Sequence, residues 1–162
     1  MNNWRDALRY NNGIPEIYLI WENNNFLSQI INEFKNIIAN LNFDKILTIE
    51  SKGIIFAAPI SYYFEKPLVI VQKKLRISNY KNILDQKIIN RKNEEETLYI
   101  DLKNMRKNEN YIIIDEVVQT RSSIKACLNL LNATNNRAKD ILCVANLSDG
   151  DDINGIKIHS LI

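Results

Sequence analysis

Tyr111-Ile-Ile-Ile-Asp-Glu-Val-Val-Gln-Thr-Arg-Ser-Ser-Ile124 carries the order of elements from which the fold is read. Its isoleucines form a β-branched run suited to a strand buried on both faces, and Asp115 and Glu116 follow at the carboxyl end. Thr120, Ser122 and Ser123 then lead into Ile124, Cys127, Leu128 and Leu131, whose spacing fits a helix with one apolar face. The first turn of such a helix leaves backbone N–H groups unpaired and carries the positive end of the macrodipole, which makes it a ready phosphate site. The hydroxyls add hydrogen bonds for the same phosphate, and the acids can accept from ribose hydroxyls or meet a metal. Phosphate at one end and acids at the other describe a sugar phosphate. From this segment alone, Thr120 or Ser122 acting as an ordinary helix cap explains the hydroxyls equally well.

A second stretch repeats the pattern. Lys45-Ile-Leu-Thr-Ile49 reads as a strand, Glu50-Ser-Lys-Gly53 as a turn, and Ile54 to about Tyr63 as an apolar helix. Gly53 lets backbone amides approach a ligand closely and Lys52 supplies charge, so the turn suits an anion such as pyrophosphate; a plain turn with a solvated Lys52 is the simpler alternative. Leu68-Val-Ile-Val71 is a further strand that delivers Gln72, Lys73 and Lys74 at its end. Phe26, Leu27, Ile30, Ile31, Phe34, Ile37, Ile38 and Leu41 recur at helical spacing after Asn23-Asn-Asn25, any of which can cap. Thr97 to Ile100, Asp140 to Leu147 and Ile156 to Ile162 complete the strands. Strands alternating with helices predict an α/β fold: a mostly parallel twisted sheet flanked by helices, which binds ligands beyond the strand carboxyl ends.

A single domain spanning 1–162 is expected, since 162 residues with 46% hydrophobic and 25% charged composition suffice for one real core. Residues 1–25, with Trp4 and Trp21 among Asn-rich turns, predict an irregular hood or flap with one short strand; the tryptophans are expected to pack there rather than to stack on a base. Residues 75–96 lose periodicity and predict a long flexible lid, loop or hairpin, with Glu94-Glu-Glu96 as its solvated edge. A net charge of +2 gives no field that demands nucleic acid, so the expected partner is small. Cys127 and Cys143 lack metal-ligand spacing and are expected as buried free thiols in a reducing compartment; His159 is expected to pack rather than to act as a base. No basic leader precedes an apolar run, and no stretch is long enough to span a membrane, so a cytoplasmic location is expected.

These residues resemble the type I phosphoribosyltransferase family, and within it the adenine phosphoribosyltransferase branch with its purine-repressor and xanthine relatives. Ile114-Asp-Glu-Val-Val-Gln-Thr-Arg-Ser-Ser123 is similar to the family's phosphoribosyl pyrophosphate signature, an apolar strand, two acids and Thr-Gly-x-Thr. Asp44-Lys-Ile-Leu-Thr-Ile-Glu-Ser-Lys-Gly53 is similar to the branch's pyrophosphate loop, Pro67 to Lys74 to its next strand, and Gly150 to Leu161 to its closing hairpin. The resemblance implies transfer of 5-phosphoribose from phosphoribosyl pyrophosphate to a purine base, as in purine salvage, with Mg²⁺ held mainly through the donor. It implies that Asp115 and Glu116 hold the ribose hydroxyls. Gln119, Thr120, Arg121, Ser122 and Ser123 would wrap the 5′-phosphate, and Ser51, Lys52, Gly53 and Lys73 would face the pyrophosphate. A homodimer is also implied.

The departures from the family pattern are specific. Arg121 stands in place of a glycine, so a positive φ there would strain it, while its guanidinium could add a phosphate contact. Glu116 replaces an aspartate, and Gln72 stands where relatives often carry arginine. The lid lacks Tyr-x-x-Glu-Tyr-Gly, and the flap lacks Phe-Arg-Asp. Arg121 and Gln72 motivate the alternative reading, a non-catalytic regulator that binds the donor or a nucleotide on the same fold.

Overall fold

The computed structural model describes residues 3–75, 82–90 and 92–162. After a 3₁₀ turn, Trp4–Ala7, come a minimal hairpin of β1 (Tyr10–Asn11) and β2 (Ile14–Pro15), then helices α1 (Tyr18–Trp21) and α2 (Asn24–Ile38). Strand β3 (Lys45–Ile49), helix α3 (Ile54–Phe64) and strand β4 (Leu68–Val71) follow. Strands β5 (Ile83–Ile89) and β6 (Glu95–Asp101) form a hairpin that precedes a 3₁₀ turn, Leu102–Asn104. The chain closes with β7 (Asn110–Val118), α4 (Ser122–Ala133), β8 (Arg137–Asn146), β9 (Asp152–Ile153) and β10 (Ile156–Ser160).

The main sheet has the order β4-β3-β7-β8-β10-β9, parallel except for the closing β9/β10 pair. Alternation along the central strands sorts their side chains between two cores. Ile112, Ile114, Leu142 and Val144 pack with Phe34 and Ile38 of α2 and Phe56 and Ile60 of α3. Tyr111, Ile113, Ile141 and Cys143 pack with Ile124, Cys127, Leu128 and Leu131 of α4. Asn23 caps α2, its side-chain oxygen accepting from the Asn25 amide at 3.0 Å.

One region differs from the sequence expectation, and a second takes the hairpin form that the sequence allowed. The segment before α2 holds a 3₁₀ turn, a two-residue-per-strand hairpin and a one-turn helix instead of an irregular flap, because elements this short leave no periodic signal. Trp4 is fully buried there and cannot stack on a base; the side chain of Trp21 lies outside the described ones. The expected lid is an antiparallel hairpin in register from Ile83↔Asp101 to Ile89↔Glu95; residues 76–81 and 91 of that stretch lie outside the described residues. Ile88, Leu98 and Ile100 seat the hairpin on the α4 core, and paired Gln72–Tyr99 backbone bonds, 2.8 Å each way, join it to the end of β4. Apolar residues interleaved with charged ones on its half-buried strands hid this seating from a search for continuous apolar runs.

The N-terminal turn is locked by a bidentate pair. Arg5 Nη1 and Nη2 donate to Glu33 Oε1 and Oε2 at 2.8 and 2.6 Å, Nη2 also donates to the Leu161 carbonyl at 3.1 Å, and Trp4 Nε1 donates to Glu33 Oε1 at 2.7 Å. Hydrogen bonding from Arg5 holds the Glu33 carboxyl below its ordinary range. A depressed carboxyl contributes stability above its unfolded pKa and loses it as pH falls through the folded value. Because the pair is about one-third exposed, Glu33→Gln is expected to cost only about 1 kcal/mol in urea unfolding at pH 7. The difference should shrink as pH falls through the folded value; a cost independent of pH would assign it to packing alone.

Among the described residues no helix is long and apolar enough to cross a membrane. Cys127 and Cys143 are free and buried, and burial pushes the Cys143 thiol up to about 11.

Candidate functional site

At the carboxyl ends of β3, β4 and β7 a cavity of about 560 Å³ adjoins one of about 490 Å³, and Lys52, Lys73, Asp115, Glu116, Val117 and Ser123 line both. They form one cleft of ligand size. Gln119, Thr120 and Arg121 line its first part, and Ser51 lines the second. Gly53 and Ser122 line neither part. The hairpin contributes Asn90, Lys92, Glu94 and Glu96, and β2 contributes Ile14 and Pro15. None of these six was singled out as a site residue from the sequence. Glu96 in particular does not serve as a solvated edge: it faces Lys73, with Nζ and Oε2 at 3.6 Å.

The acids sit inside β7, since the strand continues to Val118. Asp115 Oδ1 accepts from the Glu116 amide at 2.8 Å. Burial pushes the Asp115 carboxyl up to about 7, with the Glu116 charge adding to the rise and the Glu116 amide and Lys73 opposing it. Burial also raises Glu116, against the pull of Lys52, whose Nζ lies 3.4 Å from each carboxylate oxygen. A desolvated acid pair lining a cleft is a candidate functional site.

The hydroxyl turn is not a conventional cap. The residue preceding α4 is Arg121, in the left-handed conformation at φ +60°, and it makes no side-chain cap bond. Thr120 Oγ1 and Ser122 Oγ bond each other at 2.8 Å. The helix therefore starts without a side-chain acceptor from its cap residue, leaving first-turn amides for an anion. The Arg121 guanidinium is turned to the loop after β8, Nε donating to Ser148 Oγ at 2.9 Å and Nη2 to the Gly150 carbonyl at 3.0 Å.

In the 50–53 turn the Glu50–Ser51 peptide is cis, and Glu50 Oε2 accepts from the Lys73 amide at 3.1 Å. Gly53 has an ordinary φ of −56° and is buried. Its role here is space: a Cβ would stand 2.4 Å from Thr48 Oγ1 and 3.1 Å from Asp115 Oδ1. The sequence reading assigned this glycine to ligand approach, whereas the structure uses it to seat the head of α3 against β3 and β7. His159 lies outside the cleft, bonded to Asp140 at 2.7 Å.

The cleft is charge-balanced. By formal charge its lining holds Lys52, Lys73, Lys74, Lys92 and Arg121 against Glu50, Glu94, Glu96, Asp115 and Glu116. A polyanionic ligand therefore needs help beyond the protein's own cations.

The phosphoribosyl transferase domain model matches residues 18–153. The chain is 26% identical over 141 residues to the adenine phosphoribosyltransferase of Pelagibacter ubique, covering 84% of this chain and 77% of that enzyme. It is 30% identical over 115 residues to the hypoxanthine/guanine phosphoribosyltransferase of Methanothermococcus okinawensis, covering 71% of this chain and 60% of that enzyme. The crystal structure of adenine phosphoribosyltransferase from Thermoanaerobacter pseudethanolicus superposes with a TM-score of 0.85 at 19% identity, over 97% of this chain and 95% of the other, which establishes the shared fold.

Proposed function

This chain belongs to the phosphoribosyl transferase family, and from that premise we propose that it moves 5-phosphoribose from phosphoribosyl pyrophosphate to a purine base, most nearly as the adenine branch does. The observation that carries the reading is the convergence on one cleft of the uncapped head of α4, the Asp115/Glu116 pair and the Lys52 turn. First-turn amides with Thr120 and Ser123, which line the cleft, hold the 5′-phosphate. Asp115 and Glu116 accept from the ribose hydroxyls, which fixes the anomeric carbon relative to the leaving group. Lys52 and Lys73 exchange their glutamate partners for pyrophosphate oxygens as the donor enters. A base nitrogen then forms its bond to the anomeric carbon while the carbon–oxygen bond to pyrophosphate breaks. The pyrophosphate takes the electron pair, and the N–H proton that the base loses passes to the departing pyrophosphate. Charge stabilisation on the departing oxygen is the main task, because the sugar passes through an oxocarbenium-like state. The β5–β6 hairpin, with Asn90, Lys92 and Glu94 at the cleft, acts as the cover that keeps water out.

The family's Mg²⁺ fits this donor set only as an ion carried by the donor. Among the described residues no group of three or more His, Cys, Asp or Glu is arranged to hold a metal, while the carboxylate oxygens of Asp115 and Glu116 are hard ligands within the cleft. Bound with the donor, the ion would supply positive charge to the pyrophosphate. Chelation is therefore expected to weaken donor binding at least about tenfold in titration, because the protein's own charges cancel. Donor binding that is indifferent to chelator would mean that lysines and amides suffice.

The test of the activity is pyrophosphate release from donor and Mg²⁺ with a panel of purine and pyrimidine bases. Release with a purine supports the proposal, and no release with any base overturns it. The charge-balanced cleft and the left-handed Arg121 favour one second reading, a regulator that binds the donor without turning it over, which donor binding in the absence of release would support.

A further inference from the structure

We infer that Arg121 is a strut: its guanidinium ties the hydroxyl turn at the head of α4 to the turn after β8 and holds the phosphate cradle in its ligand-ready shape before any ligand arrives. What the cradle binds rests on the function proposed above; the strut itself rests on geometry. A side chain at φ +60° costs roughly 1 kcal/mol or more relative to glycine, so the position needs an offsetting interaction. The offset is visible. Arg121 Nε donates to Ser148 Oγ at 2.9 Å and Nη2 to the Gly150 carbonyl at 3.0 Å.

The accepting turn is cross-linked by hydrogen bonds of its own. Asn146 Oδ1 accepts from the Ser148 amide at 3.1 Å and from Ser148 Oγ at 2.7 Å, while Asn146 Nδ2 donates to the same Gly150 carbonyl at 3.0 Å. Ser148 Oγ thus passes a hydrogen bond onward as it receives one from Arg121, and such chains strengthen their members. Below the turn, β7 and β8 end with Val118 paired to Asn146, and the Leu147 amide donates to the Val118 carbonyl at 2.7 Å. The guanidinium carries this pairing past the strand ends to the residue that precedes α4. A glycine in its place would leave the cradle's shape to be set by the ligand, at an ordering cost on binding. Lysine cannot substitute, since one ammonium lacks the planar fork that meets two acceptors.

A positioning role of this kind acts on donor affinity and leaves the chemical step alone. The test compares wild type, Arg121→Lys, Arg121→Gly and Ser148→Ala by donor titration with Mg²⁺, steady-state kinetics and ligand-free amide exchange across residues 119–123. Each variant is expected to exchange faster there and to raise the donor Kd and KM by about five- to tenfold, with kcat within about twofold. Weakened binding in Arg121→Lys with wild-type binding in Ser148→Ala would overturn the strut and make the guanidinium a direct ligand contact. Unchanged exchange in all variants would also overturn it. Should wild type bind no donor, the proposed function fails, and the ligand-free exchange comparison still decides the strut.

Discussion

Asp115→Asn is expected to lose at least about a hundredfold in pyrophosphate release while becoming the more stable protein above neutral pH. The two effects share one cause. Burial raises the Asp115 carboxyl to about 7, so the folded chain holds that proton more tightly than the unfolded chain does. Stability from this group is complete below the unfolded pKa, near 4, and drains away as pH rises through 7. At pH 8 the ionised carboxylate costs roughly 2–4 kcal/mol relative to a neutral group. Asparagine keeps an oxygen to accept from the Glu116 amide and removes the charge. Urea unfolding should therefore show Asp115→Asn ahead of wild type by about 1–3 kcal/mol at pH 8 and level with it at pH 4. An equal difference at both pH values would trace the effect to packing instead of charge. The catalytic loss follows because a neutral amide is a poorer acceptor for the ribose hydroxyls than a carboxylate.

Gly53→Ala is the second large effect, and it couples stability to the cleft. The added methyl would stand 2.4 Å from Thr48 Oγ1 and 3.2 Å from the Ile114 carbonyl. Thr48 cannot swing aside cheaply: it is fully buried, and Oγ1 donates to Ile114 O at 2.7 Å. The head of α3 must move instead, at a cost of about 1–3 kcal/mol. Asp115 and Lys52 flank the displaced turn, so donor affinity should fall at least about tenfold as well. Thr48→Ala removes the obstructing oxygen, and the double variant should be less destabilised than the sum of the singles. Strict additivity would mean that the clash is not the cause.

The centre of the sheet was legible because β3 and β7 are buried on both faces and so are written as near-continuous apolar runs rich in β-branched residues, as in Ile112 to Ile114 and Ile46 to Ile49. The acids, hydroxyls and Lys52 could be assigned to one end of that sheet because α/β topology places all strand carboxyl ends together. Pairings across long sequence distance were not legible. Nothing local to Lys52 announces Glu116, 64 residues on, or ties Arg121 to Ser148, 27 residues on. Gly53 illustrates a subtler limit, since a turn glycine is compatible with ligand approach and with tight packing, and only the position of Thr48 separates the two.

The most direct test of a phosphoribosyl pyrophosphate cleft is calorimetric titration of that donor, with Mg²⁺, into wild type and Asp115→Asn. The account predicts saturable one-to-one binding by wild type and binding weakened at least about tenfold in the variant. No binding by wild type, or equal binding by both proteins, would contradict it.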